Sequence, residues 1–367
     1  MTVRRNALAL GALVAALLAM RAAAPFVAPP ATVRVPAATP VAAPAARPAP
    51  LAEATGASLY LGGDDGLLRV DVDRGSVRRV DLPGTATGAD GGLVGRDGTV
   101  VAVRGGVAYA ATGRAGRPAV PLGPAAYAVA SASPGRVWLV EETGDPDRWF
   151  RVREVAVGRS PAAGGAAGGV VARGVLPLGR RPVAGAPGGL LVQLVGPGGG
   201  LAVWDPRTGR LGRRLAAGTP LKVVAASGRT VAWVERSALH LGDLESGRTR
   251  VVPVPPGADG FAAPGAFSPD GRTLAAFTSV GFSTRPALAL VAVDRAAAVR
   301  VPGSEGALAD GCTPCVAWSP AGDWVFFSRL GPGFGVGAYR PGRARAVAVQ
   351  VDVPFAFPPS FATTRPE

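Results

Sequence analysis

The sequence predicts an all-β fold of the β-propeller class, with seven blades of four antiparallel strands. The first observation behind this prediction is a recurring unit in which a tight turn precedes an apolar strand. It is clearest in FSPDGRTLAAFTS at Phe267–Ser279 and in WSPAGDWVFFSR at Trp318–Arg329. The second observation is the regular spacing of these turns, which matches the ~40–50 residues of one propeller blade.

The turn chemistry of the first unit supports a hairpin. Pro269 suits the first corner of a tight turn, Asp270 can bond its own backbone there, and Gly271 accepts a positive φ. The run Thr273–Phe277 carries no charge, which is typical of a strand covered on both faces.

Seven glycines precede apolar strands along the chain, and the distances between them measure the length of the repeat. Successive glycines are 42, 37, 53, 40, 43 and 51 residues apart. They are Gly56, Gly98, Gly135, Gly188, Gly228, Gly271 and Gly322. Seven such turns predict seven repeats; six or eight blades, or a β-sandwich with coincidental turns, are the alternatives.

A second unit completes each repeat. In LAVWDPRTGRLGRR at Leu201–Arg214 an apolar strand ends in Asp, a turn with Gly follows, and a strand containing Arg leaves the turn. Leu68–Arg79 and Leu239–Arg250 follow the same pattern. Four short strands per repeat, separated by turns, predict a four-stranded antiparallel blade.

Together the two units resemble the repeats of TolB-like and WD-repeat β-propellers, of the exported or membrane-anchored kind common in high-GC bacteria. The resemblance covers about Ala54 to Val353. The chain lacks the Gly-His pair of WD repeats, and only Trp204-Asp205 matches their Trp-Asp ending, which favours the TolB-like side. The resemblance implies the fold and a role in protein binding or scaffolding, since only some such propellers are enzymes.

The N-terminal region predicts export. Residues 1–24 combine Arg4 and Arg5 with the apolar run Asn6–Met20, which is typical of a signal peptide. As a helix that run rises about 22 Å, less than the ~30 Å hydrocarbon core of a bilayer; an uncleaved membrane-anchor helix is the alternative. Residues 25–52, rich in Ala and Pro, are predicted to be a linker, and residues 53–367 the propeller. We therefore expect an extracytoplasmic protein, secreted or anchored to the membrane.

The charge of the chain has a compositional explanation. The formal net charge is +14, and an excess of this size can indicate nucleic-acid binding. Lys222 is the only lysine, however, and the arginines are spread through all the repeats. We therefore expect no nucleic-acid partner.

Residues with catalytic or metal-binding chemistry are scarce. His240 is the only histidine, and the chain has no GxSxG nucleophile elbow. The paired acids Asp71/Asp73 and Asp145/Asp147 lie where turns favour Asp. We predict no catalytic residue, no metal site and no cofactor.

Cys312-Thr313-Pro314-Cys315 is the sharpest local motif. A CxxC can be a disulfide, a thiol-exchange pair or half of a metal site. Because it precedes a strand and no other cysteine exists, a Cys312–Cys315 disulfide is favoured.

Ring closure is predicted to use the C-terminal tail. The first repeat lacks an initial strand, and the tail has a spare apolar segment at Ala356–Ala362. Because an open ring would expose sheet edges, we expect this segment to pair with Ser58–Leu61.

Loops at one face of the propeller are the predicted binding site, with Trp149, Phe282 and Phe334 as candidate anchors. That face would gather Glu141–Trp149, Gly196–Gly200, Ser279–Pro286, Leu308–Cys315 and Arg329–Gly335. The expected function of the monomer is to bind an envelope protein, peptide or glycan. The alternative is an exported hydrolase or lactonase that uses acids in the central channel.

Overall fold

The computed structural model describes residue 51 and residues 53–365. Within that range it leaves out 64–65, 84–92, 97, 113–116, 146–147, 158–167, 197, 219–220, 280–285, 309–313, 331–333, 350 and 352–359. The predicted signal and most of the linker, residues 1–50, therefore lie outside the described residues.

The described residues form 28 β-strands. In chain order these are β1 Ser58–Gly63, β2 Gly66–Asp71, β3 Ser76–Val80, β4 Leu93–Arg96, β5 Thr99–Arg104, β6 Val107–Ala111, β7 Val120–Pro124, β8 Tyr127–Ala130, β9 Arg136–Asp145, β10 Arg148–Ala156, β11 Val170–Leu176, β12 Arg180–Ala186, β13 Gly189–Leu194 and β14 Gly200–Trp204. The second half comprises β15 Leu211–Leu215, β16 Lys222–Ser227, β17 Thr230–Glu235, β18 Ala238–Asp243, β19 Thr249–Val252, β20 Gly260–Phe267, β21 Thr273–Ser279, β22 Ala287–Ala292, β23 Ala297–Arg300, β24 Val316–Trp318, β25 Val325–Leu330, β26 Phe334–Tyr339, β27 Val347–Val349 and β28 Ser360–Thr364.

These strands make seven four-stranded antiparallel sheets, so the predicted seven-bladed propeller is confirmed. Six blades use four consecutive strands, beginning at β4, β8, β12, β16, β20 and β24. The blade we number one has the order β28-β1-β2-β3. Each blade's first strand contacts the first strands of both neighbouring blades, which closes a ring of seven.

The turn glycines fulfil the role that the spacing predicted. All seven have a positive φ, between 54° at Gly228 and 82° at Gly188. Each precedes the second strand of its blade. Positive φ is costly for other residues. Each blade therefore needs a glycine before its second strand, which explains why the glycines recur at the spacing of the blades.

The C-terminal tail closes the ring, as expected, although the pairing strand lies a few residues later than predicted. Strand β28 pairs antiparallel with β1, with Leu61 opposite Phe361 and Ser58 opposite Thr364. Residues 352–359 lie outside the described part of the chain. Blade one therefore takes its innermost strand from the opposite end of the sequence.

Packing between neighbouring blades forms the core. Each interface buries large side chains from facing sheets, as where Trp138 of blade three meets Trp204 of blade four. Glycines make room for these rings: a Cβ at Gly174 would lie 2.3 Å from the Trp204 ring, and one at Gly337 2.4 Å from Phe327. The core is thus built from packing between each blade and its two neighbours, as in repeat architectures generally.

The aspartates that end the third strands organise the turns that follow. Asp205 accepts a hydrogen bond from the backbone N–H of Arg207 at 2.8 Å, and Asp243 accepts one from Ser246 at 2.7 Å. These bonds hold the pKa of both carboxyl groups below the usual aspartate value. Asp205 and Asp243 therefore have a structural role in their turns.

Arginines of the outermost strands tie neighbouring blades together. Arg213 of blade four donates to the carbonyl of Ser246 in blade five. Arg250 of blade five donates to the carbonyls of Val293 and Asp294 in blade six, the former at 2.6 Å. Part of the arginine excess is thus structural, because a guanidinium on the outer strand can reach the adjacent blade's turn.

Two further predictions touch undescribed residues. No helix in the described part of the chain is long and apolar enough to cross a membrane. Cys315 is buried directly before β24, whereas Cys312 lies outside the described residues, so the disulfide stays a prediction.

Candidate functional site

Connections between strands are divided between the two ends of the propeller. Because strands alternate in direction, the connection between second and third strands lies at the same end as the connection to the next blade. We call this end the upper end. The strand order places there the tip of the β9–β10 hairpin and the β13–β14, β21–β22, β23–β24 and β25–β26 connections, which are the segments singled out from the sequence.

The β9–β10 hairpin of blade three contains the two longest of the described strands. Its strands have 10 and 9 residues, whereas none of the other described strands exceeds 8. The additional residues lengthen both strands of the hairpin.

A β-bulge near this tip determines where Trp149 lies. Phe150 pairs with Glu142, after which two residues of β9, Thr143 and Gly144, oppose the single residue Trp149. Gly144 has a φ of +69°, a left-handed conformation that glycine adopts at little steric cost. Such a bulge increases the local twist of the hairpin and redirects the side chains beside it.

Two aromatic residues, Phe150 and Tyr127, form the packing that supports Trp149. The Trp149 side chain is 39% exposed, and its ring packs edge-on to Phe150 at a centroid distance of 6.1 Å. Phe150 is buried and packs edge-on to Tyr127, also at 6.1 Å. The Tyr127 hydroxyl donates to the carbonyl of Pro182 in blade four at 3.2 Å. Trp149 therefore stands on a packed base that spans two blades.

Tyr127 remains a neutral hydrogen-bond donor in this base. Burial raises the pKa of its phenol far above the usual tyrosine value, and the nearby Arg181 guanidinium only partly opposes that shift. The hydroxyl therefore keeps its proton, which the bond to the Pro182 carbonyl requires.

An ion pair lies on the hairpin beside Trp149. Glu141 and Arg151 are directly opposite each other across β9 and β10, with Arg151 Nη1 3.3 Å from Glu141 Oε1. Both side chains are partly exposed, so the pair contributes little to stability. It instead presents donors and acceptors next to an exposed indole, a combination suited to recognition.

The side chain of only one of the three predicted anchors, Trp149, is described by the structure. Trp149 is described and exposed at the upper end. Phe334 is the first residue of β26, at the same end, but its side chain is outside the described atoms, and Phe282 is outside the described residues altogether. Only Trp149 can therefore be placed in a defined side-chain environment.

The supporting residues Phe150, Tyr127 and Arg181 were not predicted as parts of the site. The alternation in RWFRVREV indicates a strand at β10, but it does not reveal a bulge opposite Trp149. Tyr127 contacts Phe150 from β8 of the same blade, and Arg181 lies near Tyr127 from β12 of blade four. The sequence carries no local signal for either contact.

Residues with catalytic potential have ordinary structural partners. His240 stacks on Trp233 with ring centroids 5.3 Å apart, and Asp73 accepts hydrogen bonds from the backbone and hydroxyl of Thr55. No group of three or more potential metal ligands is found among the described side chains.

Known structures place the chain among β-propellers. No protein-family model and no curated protein sequence matches it. The periplasmic gluconolactonase PpgL of Pseudomonas aeruginosa matches with 17% identity over 84% of this chain and 99% of that protein, at a TM-score of 0.54. TolB from Acinetobacter baumannii matches with 12% identity over 81% and 78%, TM-score 0.47. The WD40 domain of Toxoplasma gondii coronin matches with 13% identity over 84% and 79%, TM-score 0.48.

The likeness to PpgL agrees with the propeller fold that the sequence predicts. At such identities the matches show the fold alone. What the chain binds or converts has to be argued from its own residues.

Proposed function

We propose that the chain is an extracytoplasmic β-propeller that binds a protein, peptide or glycan of the cell envelope at its upper end. The single observation that carries the proposal is the exposed Trp149 on the extended β9–β10 hairpin. A large aromatic side chain at the tip of a rigid element is the usual anchor of an interface, and here its orientation is held by Phe150 and Tyr127.

Pre-organisation is the physical advantage of this arrangement. The Trp149 ring is packed against Phe150 before any partner arrives, so little side-chain entropy is lost on binding. The neighbouring Glu141–Arg151 pair can exchange its mutual contact for hydrogen bonds to a partner. Peptide groups and glycan hydroxyls both supply suitable donors and acceptors. The C–H face of a sugar ring, or an apolar side chain of a peptide, packs well against an indole face.

Binding is tested by substitution at the predicted anchors. We expect Trp149→Ala, alone or with Phe282→Ala, to abolish capture of an envelope partner by the purified chain, because truncation of a central anchor costs about 2 kcal/mol or more. Val251→Ala is the matched control, since Val251 is also a large exposed apolar residue but lies on the outermost strand β19. Capture is measured by quantitative pull-down from an envelope fraction, with unfolding midpoints recorded for each variant.

Equal capture by the wild type and the Trp149→Ala variant would refute this proposal. Hydrolysis of a lactone, ester or glycoside by the purified chain, lost on Glu141→Gln, would replace binding by catalysis. PpgL is a gluconolactonase, which is why the lactonase alternative is tested, but at 17% identity that likeness extends only to the fold.

The extracytoplasmic part of the proposal rests on residues 1–24. We expect residues 1–52, fused to a reporter that is active only outside the cytoplasm, to give a signal, because Arg4-Arg5 and the apolar run after them form an export signal. Replacing part of that run by charged residues should abolish the signal. A reporter that stays inactive with the natural sequence would contradict export.

A further inference from the structure

We propose that blade one carries a binding site for a phosphate or sulfate group, separate from the upper end. The site is a crevice of about 190 Å³ lined by Arg69, Asp71, Arg74, Ser76 and Arg78. Three guanidinium groups and one carboxylate give this crevice a formal charge of +2. It lies along strands β2 and β3 and the turn that joins them.

The strand register brings like charges together. Arg69 of β2 lies directly opposite Arg78 of β3, and directly opposed like charges destabilise a sheet. Both residues are on the same side of the sheet as Asp71 and Ser76, which form the next such pair. A sheet with two arginines at directly opposed positions gains stability from an anion bound beside them.

Arg69 is held in place for this role. Its side chain is only 9% exposed, and its Nε and Nη2 donate to the Ser58 hydroxyl at 3.3 and 3.1 Å. A buried, hydrogen-bonded guanidinium is already ordered and partly desolvated, which strengthens its attraction for an anion. Asp71 accepts hydrogen bonds from the backbone N–H and from Nη1 of Arg74, at 3.1 and 3.2 Å, so the one carboxylate is already engaged.

Arg78 differs from Arg213 and Arg250, which lie on the outermost strands of blades four and five. Arg213 and Arg250 donate to carbonyl groups in the next blade. In the described part of the chain, the Arg78 guanidinium has no hydrogen-bond partner, and it faces the crevice instead. An arginine that elsewhere binds a neighbouring turn is here available for a ligand.

The chemistry of the lining favours a tetrahedral oxyanion. Guanidinium groups pair with phosphate and sulfate oxygens through two parallel N–H···O bonds, and the Ser76 hydroxyl adds a further donor. A carboxylate ligand would carry too little charge to balance +2. The phosphate or sulfate group can be a free ion or part of a larger molecule, and the two sources are separable by experiment.

The test is titration of the purified full chain with inorganic phosphate and with sulfate, followed by calorimetry, with chloride at matched ionic strength as the reference. We expect Arg78→Gln to weaken phosphate binding about tenfold or more, since the charge-assisted hydrogen bonds of one guanidinium are lost. Arg79→Gln is the matched control. It removes the same charge from the same strand but does not line the crevice, so it should leave the affinity little changed.

Phosphatidylcholine vesicles with and without phosphatidic acid distinguish the source of the group. Capture by phosphatidic acid that Arg78→Gln abolishes assigns the site to a lipid headgroup, and phosphate binding without vesicle capture assigns it to a soluble ligand; both support the site. Equal losses in the Arg78→Gln and Arg79→Gln variants, or binding of chloride as strong as that of phosphate, would overturn it.

Discussion

Deletion of residues 354–367 is expected to abolish cooperative folding of the propeller. The deletion removes β28, the innermost strand of blade one, and leaves a full edge of β1 without a partner. It also removes Phe361, which is fully buried against Trp324 and Phe326 of blade seven, and Ala362, which packs beside Val100 of blade two.

The expected loss of stability is large because β28 contacts three neighbouring blades or strands at once. Burial of a phenylalanine alone is worth about 3–5 kcal/mol on truncation, and whole domains are stable by only about 5–15 kcal/mol. Loss of the strand also removes its hydrogen bonds to β1 and its packing on the inner strands β4 and β24. Thermal and urea unfolding followed by circular dichroism measure the effect.

Complementation provides the control for the deletion. A synthetic peptide of residues 354–367 added in trans should restore the transition by strand addition, whereas the same peptide with Phe361→Glu should not. An unchanged unfolding midpoint in the deleted chain would show that β28 does not close the ring.

Substitution of Gly185 by alanine is expected to destabilise the propeller by about 1–3 kcal/mol. Gly185 lies on β12, the innermost strand of blade four, close to the first strand of blade three. A Cβ there would be 2.5 Å from both Ala132 N and Ser131 Cα. These are backbone atoms, so the overlap is relieved only by moving two blades apart.

Gly335→Ala is the matched control for this prediction. Gly335 is also within a strand, but a Cβ there meets nothing within 4 Å. Because alanine is favoured over glycine in strands by about 0.5–1 kcal/mol, this variant should be as stable as the wild type or slightly more so. Equal unfolding midpoints for the two variants would contradict the close approach of the inner strands.

Much of the architecture is predictable because the turns are local. Asp270 and Gly271 determine a tight turn from within four residues, and the same chemistry recurs once per blade. The spacing of the turn glycines then yields the blade number without any long-range information. Ring closure was predictable too, because a missing first strand in blade one has to be supplied from elsewhere.

The candidate sites were less predictable because they depend on register and docking. The exposure of Trp149 at a tip is visible in the sequence, but its support by Tyr127 depends on contacts between strands of different hairpins. The opposition of Arg69 and Arg78 could have been deduced from the turn that joins their strands. The position of β28 was missed by a few residues, because the prediction followed apolar residues alone and β28 ends in Thr363 and Thr364.

The most direct test of the proposed function is site-specific photo-crosslinking in the envelope. A photoreactive amino acid at position 149 should crosslink to the same partner that the purified chain captures. The same amino acid at position 207, in an exposed turn at the opposite end of the propeller, should not. Crosslinks to that partner from position 207 and none from position 149 would show that the upper end is not the binding face.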